Sequence, residues 1–415
     1  MDEYEVPLWM LKAYQARKRR RVQVVATVAA IASIRGTPSD CVPRRRLNWG
    51  LHRQTLLLEG QFEQWYRMSA ASFDRLLSFV RPGLLRDEIQ SERRTGTDSI
   101  TPENMLQMTI SWLAGGSFHT TRCLAGVSPS GFYDVITAVM DALCECEELR
   151  IHSPTESTSR IEELASGFTK ISKDGIMTGC VGCLDGWLCQ IRAPSSREVP
   201  DVAAFFSGHY QMYGLNVQAI CDSLCRFTGY CFDSPGKVGD SIAFKKWTLS
   251  DEIMELPPGY YCVGDNAYPL SDSLLVPYNK VELKKKQDSD FNFYLSQLRI
   301  RIEMAFGLLV NKWQIFKKPL VVDFKNVSKV IKTCMKLHNF CTNETLINAD
   351  VTVVHDRVSS AYHRLRECAY QAADNSMEDT DITGVELDNA ARGRILRQII
   401  NDHIQDFNLR RPRTR

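Results

Sequence analysis

The 415-residue sequence contains no run of about 18 apolar residues, the length a membrane-crossing helix needs. Its opening, Met1 to Met10, is short and acidic and lacks the apolar stretch of a secretory signal, so an intracellular, soluble chain is expected. Charge of one sign is missing too: 51 Lys and Arg stand against 49 Asp and Glu, a formal net charge of +2. Nucleic-acid affinity therefore cannot be read from the total and has to come from local clusters. No internal repeat is visible, which argues against a repeat architecture. After Cys180-x-x-Cys183 there is neither a second Cys pair nor a His pair at finger or ribbon spacing, which argues against a zinc module. The 14 cysteines read as thiols of a reducing compartment. Several lie in apolar runs (Cys180, Cys183, Cys189, Cys221, Cys231, Cys262), where a free Cys packs as a small hydrophobe, and no disulfide is expected.

What is present is ordinary globular material, 44% hydrophobic and 24% charged, enough for about two or three domains. Residues 1–60 read as a basic N-terminal arm, with Arg17-Lys18-Arg19-Arg20-Arg21 and Arg44-Arg45-Arg46 as its clusters. Such blocks serve nuclear import or phosphate binding as often as they are merely solvated. Residues 61–150 show apolar spacings of three and four, beginning Phe62, Trp65, Phe73, Leu76 and Leu77, and predict an all-helical region broken at Pro82-Gly83. Helices at Met105–Leu113, near Thr120–Leu124 and at Ser130–Leu143, with a turn at Gly126-Val127-Ser128, suit a helix-turn-helix. The last of these helices carries Ser130, Phe132, Tyr133, Asp134 and Thr137 but no Arg or Lys, which favours bundle packing over groove reading. From about residue 170 the period changes to that of strands: Met177–Leu184, Trp187–Ile191, Leu215–Cys221, Phe227–Phe232 and Tyr260–Val263. Long helices follow at Phe291–Trp313 and Val330–Phe340. Strands flanked by helices make residues 170–345 an α/β or α+β domain. Residues 346–415 supply an acidic linker (Asp374–Asp388), a last helix (Arg392–Ile404) and a basic tail, Arg410 to Arg415.

Four carboxylates stand out. Asp185 shares a strand face with Val181 and Cys183 and is followed by Gly186, so it is expected where a strand stops. Asp265 follows Tyr261-Cys262-Val263-Gly264, another strand end. Asp240 heads a helical run beginning at Ile242, and Glu303 lies at the margin of the long helix's apolar stripe. Three of them have a plain alternative: Asp240 a helix N-cap, Asp265 a turn residue, Glu303 half of a surface pair with Arg299 worth a few tenths of a kcal/mol. Together they fit a different chemistry. Hard dications want oxygen ligands, and two-metal phosphodiester chemistry needs several carboxylates converging on one place. Cations for gripping phosphates are at hand in Lys237, Lys245, Lys246, Lys284 to Lys286, Arg299, Arg301, Lys312, Lys317 and Lys318. If they grip phosphates, that affinity should fall steeply with salt, and for any one of them a solvated surface charge is the plain alternative.

The blocks Gly182-Cys183-Leu184-Asp185-Gly186, Asn216-Val217-Gln218-Ala219-Ile220-Cys221-Asp222, Pro235-Gly236 leading to Asp240-Ser241, Gly264-Asp265-Asn266-Ala267-Tyr268-Pro269, Arg299 to Phe306, and Leu337-His338-Asn339-Phe340 occur in this order. In that order the chain, over roughly residues 60 to 345, resembles the PIF/Harbinger-type transposases and their domesticated relatives. The resemblance implies an RNase H-like catalytic core of the DDE nuclease superfamily, a mixed sheet flanked by helices, preceded by a helix-turn-helix-like helical domain. It implies Asp185, Asp265 and Glu303 as the catalytic triad, and Asp240 as a fourth ligand of divalent Mg²⁺ or Mn²⁺. It also implies DNA as substrate, work in the nucleus, a homo-oligomer when active, and often a separate Myb/SANT-like partner. Two departures from the family pattern stand beside the match: Gly239 where a His is usual, and an altered basic and aromatic stretch at Phe206–Gly214. A domesticated DNA-binding or adaptor protein that keeps the fold and no longer cuts is the competing expectation.

Overall fold

Short apolar repeats closed by capping residues set the first helices. The computed structural model describes residues 44–87, 98–348 and 384–411, with 12, 15–20, 22, 23 and 89 besides. Asn48, Ser69, Thr101 and Ser128 each accept a hydrogen bond from a backbone N–H three residues on, the usual satisfaction of an orphan helix N-terminus. They start α1 (Trp49–Leu58), α3 (Ala70–Leu84), α4 (Pro102–Leu113) and α6 (Pro129–Glu145), with α2 (Phe62–Tyr66) and α5 (Phe118–Ala125) between them. The expected break at Pro82-Gly83 does not occur there, because Pro82 falls in the last turns of α3, which runs on to Leu84. Gly126, at φ 65°, ends α5, and α5 meets α6 at 92°, within the range of a helix-turn-helix corner. On α6 the residues Phe132, Val135, Ile136, Val139, Met140 and Leu143 are buried. They pack against α3, α4 and the later helix α11 (Phe324–Asn348). Bundle packing is thus what α6 does.

The sheet has six strands: β1 (Cys180–Gln190), β2 (Phe206–Ser207), β3 (Met212–Cys221), β4 (Phe227–Pro235), β5 (Tyr261–Val263) and β6 (Leu274–Leu275). β3 pairs antiparallel with β1 and β4, whereas β5 runs parallel to β1 and β6 parallel to β5. Three antiparallel strands continued by two parallel ones, flanked by helices, form the RNase H-like α/β core. α7 (Thr158–Ile171) packs on β1, as does α10 (Lys286–Lys312). The short helices α8 (Asp240–Lys245) and α9 (Thr248–Met254) follow β4. β1 differs from expectation: the two runs flanking Asp185-Gly186 are one strand of 11 residues.

Residues Leu47–Arg86 and Ile100–Arg415 form one compact unit, and Met1–Arg46 with Asp87–Ser99 another. In the second, Arg46 Nε donates to the Asp98 carbonyl at 3.0 Å. Most of the basic arm lies outside the described residues, as do the acidic stretch up to residue 383 and the tail beyond Arg411. In the large unit the helical bundle joins the α/β core directly: Lys336 Nζ on α11 donates to the Cys144 carbonyl of α6 at 2.7 Å. A last helix, α12 (Gly384–Asp406), packs on α10. Its Arg397 is 2% exposed, lies over the Tyr278 ring and pairs with Glu282 at 3.1 Å. Asn401 Nδ2 donates to Asp288 at 3.4 Å and the Arg411 amide to Asp290 at 2.8 Å. Among the described residues every cysteine is a free thiol, with Cys180 and Cys183 wholly buried in the core. No single described helix is long and apolar enough to cross a membrane.

The block Leu337–Phe340 works as a clasp. Asn339 pairs both ways with the Phe227 backbone, at 2.8 and 2.7 Å, and His338 Nε2 donates to the Cys225 carbonyl at 2.8 Å. Between them they hold the β3–β4 turn, which Asp222 closes by accepting from Leu224 N and Arg226 N. Burial drives the His338 pKa down from 6.5 to about 4, with the Cys225 carbonyl pulling the other way. A base depressed in the fold lends stability that is full above its unfolded pKa and lost as pH falls through the folded one. From pH 7 to pH 5 this group should cost the protein about 2 kcal/mol. His338→Gln keeps a donor for the carbonyl without titrating, and urea midpoints at the two pH values should show a smaller loss than in wild type.

Candidate active site

β1 outruns its neighbour. It pairs with β5 only as far as Cys183↔Val263 and is next bridged at Ile191↔Leu320, so between those points one edge of β1 is open. Asp185 lies two residues beyond Cys183, and Asp265 two beyond Val263. The two carboxylates therefore flank a notch in the sheet, and Asp185 sits inside a strand rather than at its end. Asp265 Oδ1 also accepts from Ala267 N at 2.8 Å, so the turn role expected of it coexists with its place at the notch.

Gly186 is a strand residue, and its missing side chain makes room. A Cβ there would stand 2.1 Å from Asp240 Oδ1 and 2.7 Å from Gln218 Nε2. Asp240 thus lies directly against β1 beside Asp185. It is the first residue of α8, capped by Gly239. Instead of capping the helix, its Oδ1 accepts from Asn216 Nδ2 at 3.0 Å and Gln218 Nε2 at 2.8 Å. The Gly186→Ala protein should consequently push Asp240 off β1. Loss of divalent-cation affinity with the far-UV spectrum retained, read by calorimetry and circular dichroism, is the expected result.

Glu303 reaches the same place from α10 and is paired with Arg299 one turn earlier at 2.6 Å. Arg299 also reaches Asp185, at 3.8 Å. It does not grip solvent phosphates, as expected from the sequence, but lies among the carboxylates. Burial, then Asp265, pushes the Asp185 pKa up to about 8; Arg299 opposes this, while Asp240 and Glu303 add to it. Asp265 is raised by burial as well, against the Ala267 amide and Arg299, with Asp240 and Glu303 adding. Burial works against the Arg299 charge, yet Glu303, Asp185 and Asp265 hold its pKa above the ordinary value. All four acidic residues singled out from the sequence are therefore close enough to act on one another.

The donor chemistry is that of a hard dication: oxygen only, with surplus negative charge that one guanidinium does not neutralise. The arrangement is not closed around an ion, since among the described residues no three His, Cys, Asp or Glu side chains are set to hold one. Arg299 offsets part of that negative charge. Two other cations expected to grip DNA are also turned inward. Lys312 Nζ donates to the Arg67 carbonyl at 3.4 Å, and Arg301 is half-buried beside Cys225. Lys237, Lys245, Lys246, Lys284 to Lys286, Lys317 and Lys318 are exposed. Tyr210, in the altered stretch Phe206–Gly214, was not expected at the site. Burial, then Asp240, Asp185 and Asp265, raises its pKa, which places a half-exposed aromatic ring near the acidic cluster.

Comparison with known proteins gives a family match over this region. Residues 184–339, which include all four carboxylates and the Asn339 clasp, match the DDE superfamily endonuclease family. Protein ALP1-like of Arabidopsis thaliana is 23% identical over 331 residues, 74% of this chain and 76% of its own length. No solved structure matches the chain.

Proposed function

We propose that this chain, a member of the DDE superfamily of endonucleases through residues 184–339, is a metal-dependent DNA endonuclease of the transposase type that nicks DNA and transfers strands. The observation that carries the reading is the convergence of Asp185, Asp240, Asp265 and Glu303, from four separate segments of the chain, on the open edge of β1. Mg²⁺ or Mn²⁺ bound there would supply Lewis-acid neutralisation of charge developing at phosphorus and on the leaving oxygen. Asp185, Asp265 and Glu303 would hold the ions as the catalytic triad, with Asp240 as a further ligand. To hold ions, Asp185 and Glu303 would have to exchange their contacts with Arg299 for the metal. The exposed lysines around the core hold the DNA backbone, which makes binding fall with salt. The protein would work in the nucleus as a homo-oligomer, with a Myb/SANT-like partner helping to find DNA ends.

One observation favours a second reading. Arg299 already bridges two of the carboxylates, which is how a silent adaptor could keep the site quiet. Relaxation of supercoiled plasmid by purified protein in Mg²⁺ or Mn²⁺, absent in EDTA, separates the two. Metal-dependent nicking supports the nuclease; DNA binding without nicking in either ion supports the adaptor.

A further inference from the structure

Asp240 and three polar side chains around it form a chain whose direction is forced at one end. The Val238 carbonyl and the Asp240 carboxylate can only accept. Asn216 therefore has to turn its NH₂ toward them, at 2.8 and 3.0 Å. That leaves Asn216 Oδ1 as acceptor for Gln218 Nε2, at 2.8 Å, and the same NH₂ reaches Asp240 Oδ1 at 2.8 Å. Gln218 Oε1 is then committed as an acceptor, and the Tyr268 hydroxyl donates to it at 2.6 Å. Gln218 and Tyr268 are 1% and 3% exposed, so water does not compete for these positions. Gly186 gives the network its clearance, and Asp240 Oδ2 stays outside it.

We infer that Tyr268, Gln218 and Asn216 are positioning residues that fix the Asp240 carboxylate against β1 and present it to a divalent cation. This rests on the function proposed above. The phenol matters because it locks the Gln218 amide: without its proton, the amide can flip and turn Oε1 toward the carboxylate. Outer partners of this kind typically change metal affinity about 10- to 100-fold. The relay also gives work to two sequence blocks, Asn216-Val217-Gln218 and Asn266-Ala267-Tyr268-Pro269, beyond the carboxylate that the second contains.

The test uses the full chain and Mn²⁺ as probe. By calorimetry, Tyr268→Phe should weaken Mn²⁺ binding about tenfold, and Gln218→Glu by more, since it sets a second carboxylate against Asp240. In EDTA, melting temperatures of wild type, Tyr268→Phe, Asp240→Asn and the double variant form a cycle. An Asn at 240 accepts either amide orientation, so Tyr268→Phe should shift melting less in that background. A smaller shift with weakened Mn²⁺ binding supports the assignment. Additive shifts overturn it, and so does Mn²⁺ affinity equal to wild type in Tyr268→Phe. If the wild type itself binds no Mn²⁺, the proposed nuclease function falls, while the cycle in EDTA still decides whether Tyr268 orients Asp240.

Discussion

The Asp185→Asn protein should lose plasmid nicking by roughly a thousandfold or more, and in EDTA at pH 8 it should unfold at a higher temperature than wild type. Both effects come from one carboxyl group. Its pKa in the fold, about 8 against an ordinary 3.8, means the native state resists its ionisation. An acid raised in this way contributes stability that is intact below the unfolded pKa and lost as pH rises through the folded one. At pH 8 most of that penalty is present. Asp185 keeps 18% side-chain exposure, so solvent screens part of it, and about 2–4 kcal/mol remains. Asn removes the charge and keeps the shape. Thermal melts in EDTA alongside a nicking assay decide the matter: a variant that melts at or below wild type would show that the site is not under electrostatic pressure. Asp265→Asn should follow the same pattern to a smaller extent. Glu303→Gln should lose nicking with little gain in stability, because its side chain is 37% exposed and tied to Arg299.

Arg299→Gln should do the reverse. Removing the guanidinium takes from Asp185, Asp265 and Glu303 the positive charge that offsets them. Breaking a buried pair costs about 3–5 kcal/mol. At 27% exposure for Arg299, about 1–3 kcal/mol is the fitting range. In EDTA the variant melts earlier. Added Mg²⁺ should restore more stability to it than to wild type, since no internal cation competes for the carboxylates, and Mg²⁺ affinity read by calorimetry should rise. Equal affinity in the two proteins would mean that Arg299 does not compete with a dication and is only a packing partner of α10.

How much of this was legible in the sequence depends on the range of each interaction. The carboxylates were legible because each follows a short block of recognisable residues, and their order along the chain resembles one family. The strand position of Asp185 was not. Gly186 reads equally as a turn or as a place of close approach, and the residue that approaches, Asp240, arrives from a distant helix. Arg299 and Glu303 announce a pair by their spacing of four. Nothing local announces Asp185 as a third member, so the cation was expected in solvent. The inward roles of Lys312 and Arg301 escaped for the same reason. β2 and β6, of two residues each, are too short to show a period. Gln218 and Tyr268 were visible as parts of motifs, but the direction of their hydrogen bonds needs the carbonyl of Val238, which no pattern in the chain supplies.

The seat of α12 has a consequence for what counts as one polypeptide. Suppose a protease cuts anywhere between residues 349 and 383. The released C-terminal piece would still bury Ile400, Ile404 and Arg397 and still bond to Asp288 and Asp290 of α10, the helix that carries Glu303. The clipped protein would therefore elute as a single particle under native conditions and separate only in denaturant.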